Sequence, residues 1–389
     1  MKKRLLTIAA LTFVLTANAQ DNPLWMRYCA ISPDGQTIAF CYKGDIYTVP
    51  ANGGKATQLT TNAAHDTHPI WSPDSKKIAF ASNRQGSMDI YIIDKEGGTP
   101  QRLTTHSANE FPVTFKDAEH ILYLSSLMPD AADMTFPSGQ FPQVYEISTE
   151  GGRPTLFSSL PMEDISFSKD GKSLLYHDRK GYEDAWRKHH TSSITRDIWM
   201  CQLNGNEKTY RKLTSFRGED RTPIWSADGQ SFYYLSESKG SFNVFKRNLD
   251  GSNEKQLTQH TKHPVRFLSA ASNGTLCYGY DGEIYTVKEG EKPHKVEISI
   301  VADKNDKDLI RQVRTSGATE IAVSPSGKEV AFILHGDVFV TSVEYNTTKQ
   351  ISNTPEQERN LSFAPDGRSL AYSSERLVAG LPEFFDQQG

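Results

Sequence analysis

One unit recurs along this chain, and a repeat constrains the fold more tightly than any single motif. It opens with a turn of the form Ser-Pro-Asp-Gly, seen at Ser32-Pro33-Asp34-Gly35, Ser72-Pro73-Asp74-Ser75, Ser168-Lys169-Asp170-Gly171, Ser226-Ala227-Asp228-Gly229, Ser324-Pro325-Ser326-Gly327 and Ala364-Pro365-Asp366-Gly367. Pro presets φ, Asp bonds the following backbone and Gly supplies a positive φ, so this is hairpin-turn chemistry. An apolar strand follows each turn, as in Ile38-Ala39-Phe40, Ile78-Ala79-Phe80 and Val330-Ala331-Phe332. Consecutive apolar positions predict burial on both faces. Next comes a polar-aliphatic-aromatic strand, as in Asp45-Ile46-Tyr47, Asp89-Ile90-Tyr91, Asp197-Ile198-Trp199 and Asp337-Val338-Phe339. A Gly turn and a Leu-Thr pair complete the unit, as in Gly53-Gly54 to Leu59-Thr60.

Each unit therefore predicts four short antiparallel strands. Pro33 to Pro73 and Pro325 to Pro365 are each 40 residues apart, the spacing of propeller blades. A lone blade leaves both faces bare, whereas a ring buries them and removes the sheet edges. A β-sandwich explains the strands but not the recurrence of the whole signature. Complete units fall at about 26–62, 67–106, 110–158, 162–215, 220–260 and 264–298, with a seventh at 318–353 and an eighth opening near Arg359. The expected fold is all-β: a six-bladed β-propeller over 24–298, a polar linker over 299–317, and the start of a second, truncated propeller over 318–389. One seven-bladed ring with a remnant is the alternative count. After Arg376 the pattern lapses into Leu377–Phe385, so the last unit is expected to lack two strands, and the chain to be a fragment of a longer protein.

The N-terminus reads as an address. Lys2, Lys3 and Arg4 precede an apolar stretch, Leu5 to Leu15, and then Ala17-Asn18-Ala19, a small-residue cleavage pattern. The apolar stretch is about half the length needed to span a bilayer. Residues 1–19 are expected to be a signal peptide cut after Ala19, giving a periplasmic or secreted protein with no membrane span. Cleavage shifts the net charge from -4 to -7, which argues against a nucleic-acid partner, usually met by a basic face. With 37% hydrophobic and 23% charged residues, wholesale disorder is excluded. An oxidising compartment permits disulfides among Cys29, Cys41, Cys201 and Cys277, with Cys29 and Cys41 flanking one predicted hairpin; buried free thiols are the competing reading.

Two units carry insertions: Leu127 to Gln143, with Phe136-Pro137-Ser138-Gly139, and Asp178 to Arg196. Loops on a rigid scaffold commonly carry binding. The second is dense in Arg179, Tyr182, Asp184, Trp186, Arg187, His189, His190 and Arg196, including the residue types favoured as interface anchors. These are the candidate peptide- or partner-binding residues; the other reading is a loop that packs on its own protein. His189 and His190 face opposite ways if extended and have no third ligand at suitable spacing, so no metal is expected. Ser192 and Ser193 lie near them, but there is no Gly-x-Ser-x-Gly elbow, no complete Ca²⁺ loop and no Gly-rich phosphate loop. No catalytic residue and no cofactor are expected.

The blade pattern resembles the TolB/tricorn type of propeller repeat. Gly44-Asp45-Ile46-Tyr47, the run from Arg179 to Trp199, and Tyr278–Tyr285 narrow it: residues 24–376 look like the N-terminal part of bacterial tricorn-like peptidases. That resemblance implies a six-bladed and a seven-bladed propeller, followed by a PDZ domain and a core related to C-terminal-processing serine peptidases. It implies propellers that guide peptides or unfolded segments, a possible homo-oligomer, and catalytic residues in the C-terminal part, which is absent here. A TolB-like interaction module of the cell envelope and the propeller of a prolyl-oligopeptidase-type enzyme are the alternatives.

Overall fold

The computed structural model describes residues 23–126, 141–181, 184, 186–187, 194–205, 207–300, 313–345, 347–375 and 383–386. The insertion at 127–140 and residues Tyr182, His189, His190, Ser192 and Ser193 lie outside the described residues, as does the predicted signal peptide. All regular structure among the described residues is β, in an all-β, propeller-type arrangement. No helix there is long and apolar enough to cross a membrane. The chain divides into two compact units, residues 1–305 and 306–389.

The first unit holds β1 (Arg27–Ile31), β2 (Thr37–Tyr42), β3 (Asp45–Pro50) and β4 (Gly54–Gln58); then β5 (Asp66–Trp71), β6 (Lys77–Gln85), β7 (Ser87–Asp94) and β8 (Gln101–Arg102); then β9 (Glu110–Phe115), β10 (His120–Ser125), β11 (Gln143–Ser148) and β12 (Thr155–Ser158). It continues with β13 (Met162–Phe167), β14 (Ser173–Asp178), β15 (Ile198–Asn204) and β16 (Glu207–Lys212); β17 (Asp220–Trp225), β18 (Ser231–Ser236), β19 (Asn243–Asn248) and β20 (Lys255–Gln256); and β21 (Arg266–Ala270), β22 (Leu276–Tyr280), β23 (Glu283–Val287) and β24 (His294–Lys295). Each set of four is one antiparallel meander. The first strands pack in the order β1, β5, β9, β13, β17, β21 and back to β1.

Each part of the repeat has a visible task. In the turn, the Ser hydroxyl accepts the N–H five residues on, from Thr37 to Ser32 at 3.0 Å, Lys77 to Ser72 at 2.9 Å, Ser173 to Ser168 at 2.9 Å and Glu329 to Ser324 at 3.1 Å. The aromatics of the second and third strands stand opposite one another: Phe40 and Tyr47, Phe80 and Tyr91, Tyr123 and Tyr145, Tyr234 and Phe245, Tyr278 and Tyr285, a pairing that stabilises sheets. The Leu-Thr pair ties off the unit. The backbone N–H of Ile46, Ile90, Ile198 and Val244 donates at 2.9 Å to Thr60, Thr104, Thr214 and Thr258.

Burial follows the interfaces between sheets. Separate apolar clusters lie between the first and second sheets around Ile46 and Trp71, between the second and third around Ile90 and Tyr123, and so on through the fifth and sixth around Val244 and Tyr278. A further cluster joins the sixth sheet to the first through Cys277, Ile284, Cys29 and Phe40. The four cysteines are free and buried. Cys29 and Cys277 share that last cluster, so the thiol nearest in sequence to Cys29, at Cys41, is not its counterpart across the seam.

Ile298–Ile300 forms β25, parallel to β4, so residues 299 and 300, placed in the linker from the sequence, belong to the first sheet. The Gly54 N–H donates to the Glu297 carbonyl at 2.8 Å. A Cβ on Gly53, whose φ is +92°, would stand 2.7 Å from that oxygen, so this Gly admits the passing backbone.

The second unit has one four-stranded sheet, β26 (Ala318–Val323), β27 (Glu329–Leu334), β28 (Asp337–Ser342) and β29 (Thr348–Gln350), and a three-stranded one, β30 (Glu358–Phe363), β31 (Ser369–Ser374) and β32 (Glu383–Asp386). The last sheet has a third strand where the sequence pattern had lapsed. Backbone pairing of Tyr372 with Glu383 and Leu370 with Phe385 supplies it without the Asp-Ile-Tyr signature. Val323 is 61% exposed, whereas Ile31, at the same place in the repeat, is 3% exposed.

Candidate binding channel

Five of the six first strands of the first unit, all but β9, share one kind of defect that aims side chains. Register slips by a bulge between Arg27 and Ala30, Thr67 and Ile70, Glu163 and Ser166, Arg221 and Ile224, and Arg266 and Ser269. Each bulge holds one residue in the left-handed region: Tyr28 (φ 51°), His68 (53°), Asp164 (50°), Thr222 (54°) and Phe267 (57°). Bulges bend a strand and redirect a side chain, and a strained non-Gly residue persists only where its surroundings over-determine it. All five residues line a cavity of about 1040 Å³.

One arc of the lining is aromatic. The Tyr28 ring lies 3.9 Å from that of His68 and 4.8 Å from that of Phe267, and His68 lies 5.1 Å from Phe111. Trp186 meets Phe267 edge-on at 5.8 Å. Burial pushes His68 down to about 4 and raises the Tyr28 hydroxyl. The Trp186 indole has the Arg27 guanidinium 4.8 Å from its centre and that of Arg266 at 4.9 Å. Arg266 also donates to the carbonyls of Trp186 (2.7 Å) and Arg187 (3.1 Å). Burial, together with Arg221, Arg187 and Arg27, pushes Arg266 down to about 10.

The opposite arc is ionic. Glu163 accepts from Arg179 at 2.9 Å and from Arg196 Nε at 3.3 Å, and its carboxylate stands 3.1 Å from His177 Nε2. The Thr222 N–H donates to His177 Nδ1, which assigns the ring proton to Nε2 and its bond to Glu163. Burial works to raise the Glu163 carboxyl, but His177, Arg196 and Arg179 outweigh it and hold the group well below the usual carboxylate range. Beneath lies Glu219, buried, shared by Arg187 at 3.0 Å, Arg196 at 3.2 Å and Arg221 at 3.5 Å. Arg187 grips Glu237 through two nitrogens at 2.9 Å. Burial disfavours its charge, yet Glu237 and Glu219 raise its pKa further. The Phe242 ring sits under both Arg187 and Arg221.

The predicted loop residues are thus sorted. Arg179, Trp186 and Arg196 line the cavity. Asp184 is exposed and builds a turn, accepting from the Trp186 N–H at 2.8 Å. Arg187 is buried beneath its neighbour, and Arg196 is buried between Glu163 and Glu219. Tyr28, His68, Phe111, Glu163, Glu219 and Phe267 were not foreseen. A signal existed: Thr67-His68-Pro69-Ile70-Trp71 recurs as Arg221-Thr222-Pro223-Ile224-Trp225 ahead of two of the turns. Among the described residues, no group of three or more His, Cys, Asp or Glu is placed to hold a metal ion.

Comparison with known proteins fits this architecture. Residues 23–293 match the family model of the tricorn protease N-terminal beta propeller domain. The chain is 24% identical over 282 residues to tricorn protease homolog 1 of Streptomyces coelicolor, covering 72% of this chain and 25% of that protein. It is 22% identical over 333 residues to the tricorn protease of Thermoplasma acidophilum, covering 82% and 29%. The crystal structure of the tricorn protease superposes with a TM-score of 0.64 at 17% identity, over 93% of this chain and 35% of that one. The chain thus spans between a quarter and three tenths of the length of these two curated relatives. With the family model matched over most of its length, the chain belongs to the tricorn protease N-terminal β-propeller domain family.

Proposed function

We propose that this chain is the non-catalytic propeller part of an exported tricorn-like serine peptidase, where it guides or gates peptides and unfolded segments and supports assembly. The observation that carries this reading is the channel. Five bulges, on five of the six first strands, hold strained side chains around one cavity, an arrangement a purely structural core does not require. The cyclic packing of six sheets supports a closed six-bladed ring, with residues 318–389 opening a second propeller. PDZ and peptidase domains, a homo-oligomer, and periplasmic or secreted placement after removal of residues 1–19 complete the reading.

Fluorescence anisotropy with labelled unstructured peptides tests it. The purified chain is expected to bind them without hydrolysing them. Absence of binding across a composition-diverse peptide library overturns the guiding role, and hydrolysis overturns the non-catalytic one.

A further inference from the structure

At one edge of the channel the aromatic arc reaches solvent as an alternating ladder. Trp25 is 70% exposed and Trp186 43% exposed. The Arg27 guanidinium lies 5.9 Å from the Trp25 ring and 4.8 Å from Trp186, and Arg266 lies 4.9 Å from Trp186. Large exposed indoles beside guanidiniums are the side chains that dominate recognition surfaces. A guanidinium stacked on a ring keeps its in-plane N–H fork available for a carboxylate. Arg27 is exposed and has no ion pair among the described residues. Deeper in the channel Arg179, Arg196 and Arg221 are matched by Glu163 and Glu219, so the positive charge turned to solvent at the ladder is that of Arg27, in a chain of net charge -4. Such a setting attracts a short acidic segment, while the overall charge repels a long polyanion. Tyr28, Phe267 and Trp186 together offer ring edges and faces to an incoming aromatic group.

Resting on the reading of the channel as a peptide path, we propose that this ladder selects peptides in which an aromatic side chain stands next to an acidic one. The ring packs against Trp186 and Phe267, and the carboxylate meets Arg27. Recognition is of side chains, so a free peptide C-terminus is not needed.

The test uses the whole chain and labelled hexapeptides acetylated and amidated at their ends: alternating Asp and Phe, alternating Asp and Ala, and alternating Lys and Phe, with oligothymidine as a competitor. Asp-Phe peptide is expected to bind about tenfold tighter than either control, the scale of one good cation–π or charge-assisted contact. Trp186→Ala is expected to remove that preference. Arg27→Gln, at an exposed position, is expected to weaken Asp-Phe binding several-fold and flatten its salt dependence, leaving Lys-Phe binding unmoved. Circular dichroism and melting temperature confirm folding of each variant. Equal binding of the three peptides, or a preference that survives both variants, overturns the proposal while the peptide path stands. Failure of every peptide overturns both. Oligothymidine binding tighter than the Asp-Phe peptide overturns the proposal in favour of a nucleic acid.

Discussion

The two arcs of the channel are built from the same position of the same repeat, yet they behave as opposites. On the ionic arc, Asp164 and Thr222 fill the bulge and bond each other at 2.6 Å, and the acids Glu163 and Glu219 are each shared by two or more cations. On the aromatic arc, Tyr28, His68 and Phe267 fill it, and rings stack without an acid among them. The backbone bulge decides that a side chain faces the channel; the residue in the bulge decides whether that side chain is consumed internally or offered. The ionic arc is therefore read as a girdle and the aromatic arc as a contact surface.

The largest expected effect strikes the girdle. Glu219→Ala takes an acid shared by Arg187, Arg196 and Arg221 out of a buried network in which Arg187 keeps Glu237 and Arg196 keeps Glu163, and breaking such a network costs about 3–5 kcal/mol. Urea unfolding of the variant checks this; a change under about 1 kcal/mol would mean the network behaves like a surface ion pair and the distinction between the arcs collapses.

Acid titration separates the arcs next. His68 has its pKa depressed to about 4, so its neutral form stabilises the fold fully above the unfolded value near 6.5, and that stability is lost as pH falls toward about 4, roughly 3 kcal/mol in all. Glu163 is depressed below the usual carboxylate range; its contribution is present above about 4.3 and is lost only as pH falls through its lower folded value. Unfolding free energy is thus expected to drop in two steps, the aromatic arc first. His68→Asn, which tolerates the left-handed backbone, is expected to erase the first step, and Glu163→Gln the second.

A smaller effect tests what the arcs share. Gly in a strand interior ordinarily loses to Ala by about 0.5–1 kcal/mol. At Tyr28 and Thr222, with φ of 51° and 54°, the order reverses: Tyr28→Gly is expected to be more stable than Tyr28→Ala, and Thr222→Gly than Thr222→Ala, each by about 1 kcal/mol. Ala winning at either position removes the strain argument there.

The repeat was legible because every part of it does local work. The Ser-Pro-Asp-Gly hydroxyl and the Leu-Thr hydroxyl each satisfy a hydrogen bond within their own sheet, and the opposed aromatics pack across it, so each leaves a mark at fixed spacing. The channel was not legible, because a bulge is a property of pairing between strands: Tyr28, Asp164 and Phe267 share no residue type. The dense loop from Asp178 to Arg196 drew attention for the right composition, but its charges face partners far along the chain, Glu219 and Glu237, which no local reading reveals. Similarly, β32 forms by backbone pairing with β31 and needs no signature.

The smallest stability effect isolates the contact surface. Trp186 and Arg187 are adjacent, yet one is 43% exposed and the other 5%. Arg187→Ala takes the guanidinium from Glu237 and one of three from Glu219, and belongs with the girdle. Trp186→Ala removes an indole that stands between two guanidiniums at the water's edge, and its loss is expected to change unfolding free energy by no more than about 0.5 kcal/mol, the range of surface substitutions. Thermal denaturation of the two variants side by side decides it. A Trp186→Ala cost approaching that of Arg187→Ala would make the indole part of the girdle's support, and the aromatic arc would then be a second structural seam; a negligible cost leaves the indole in place for a ligand.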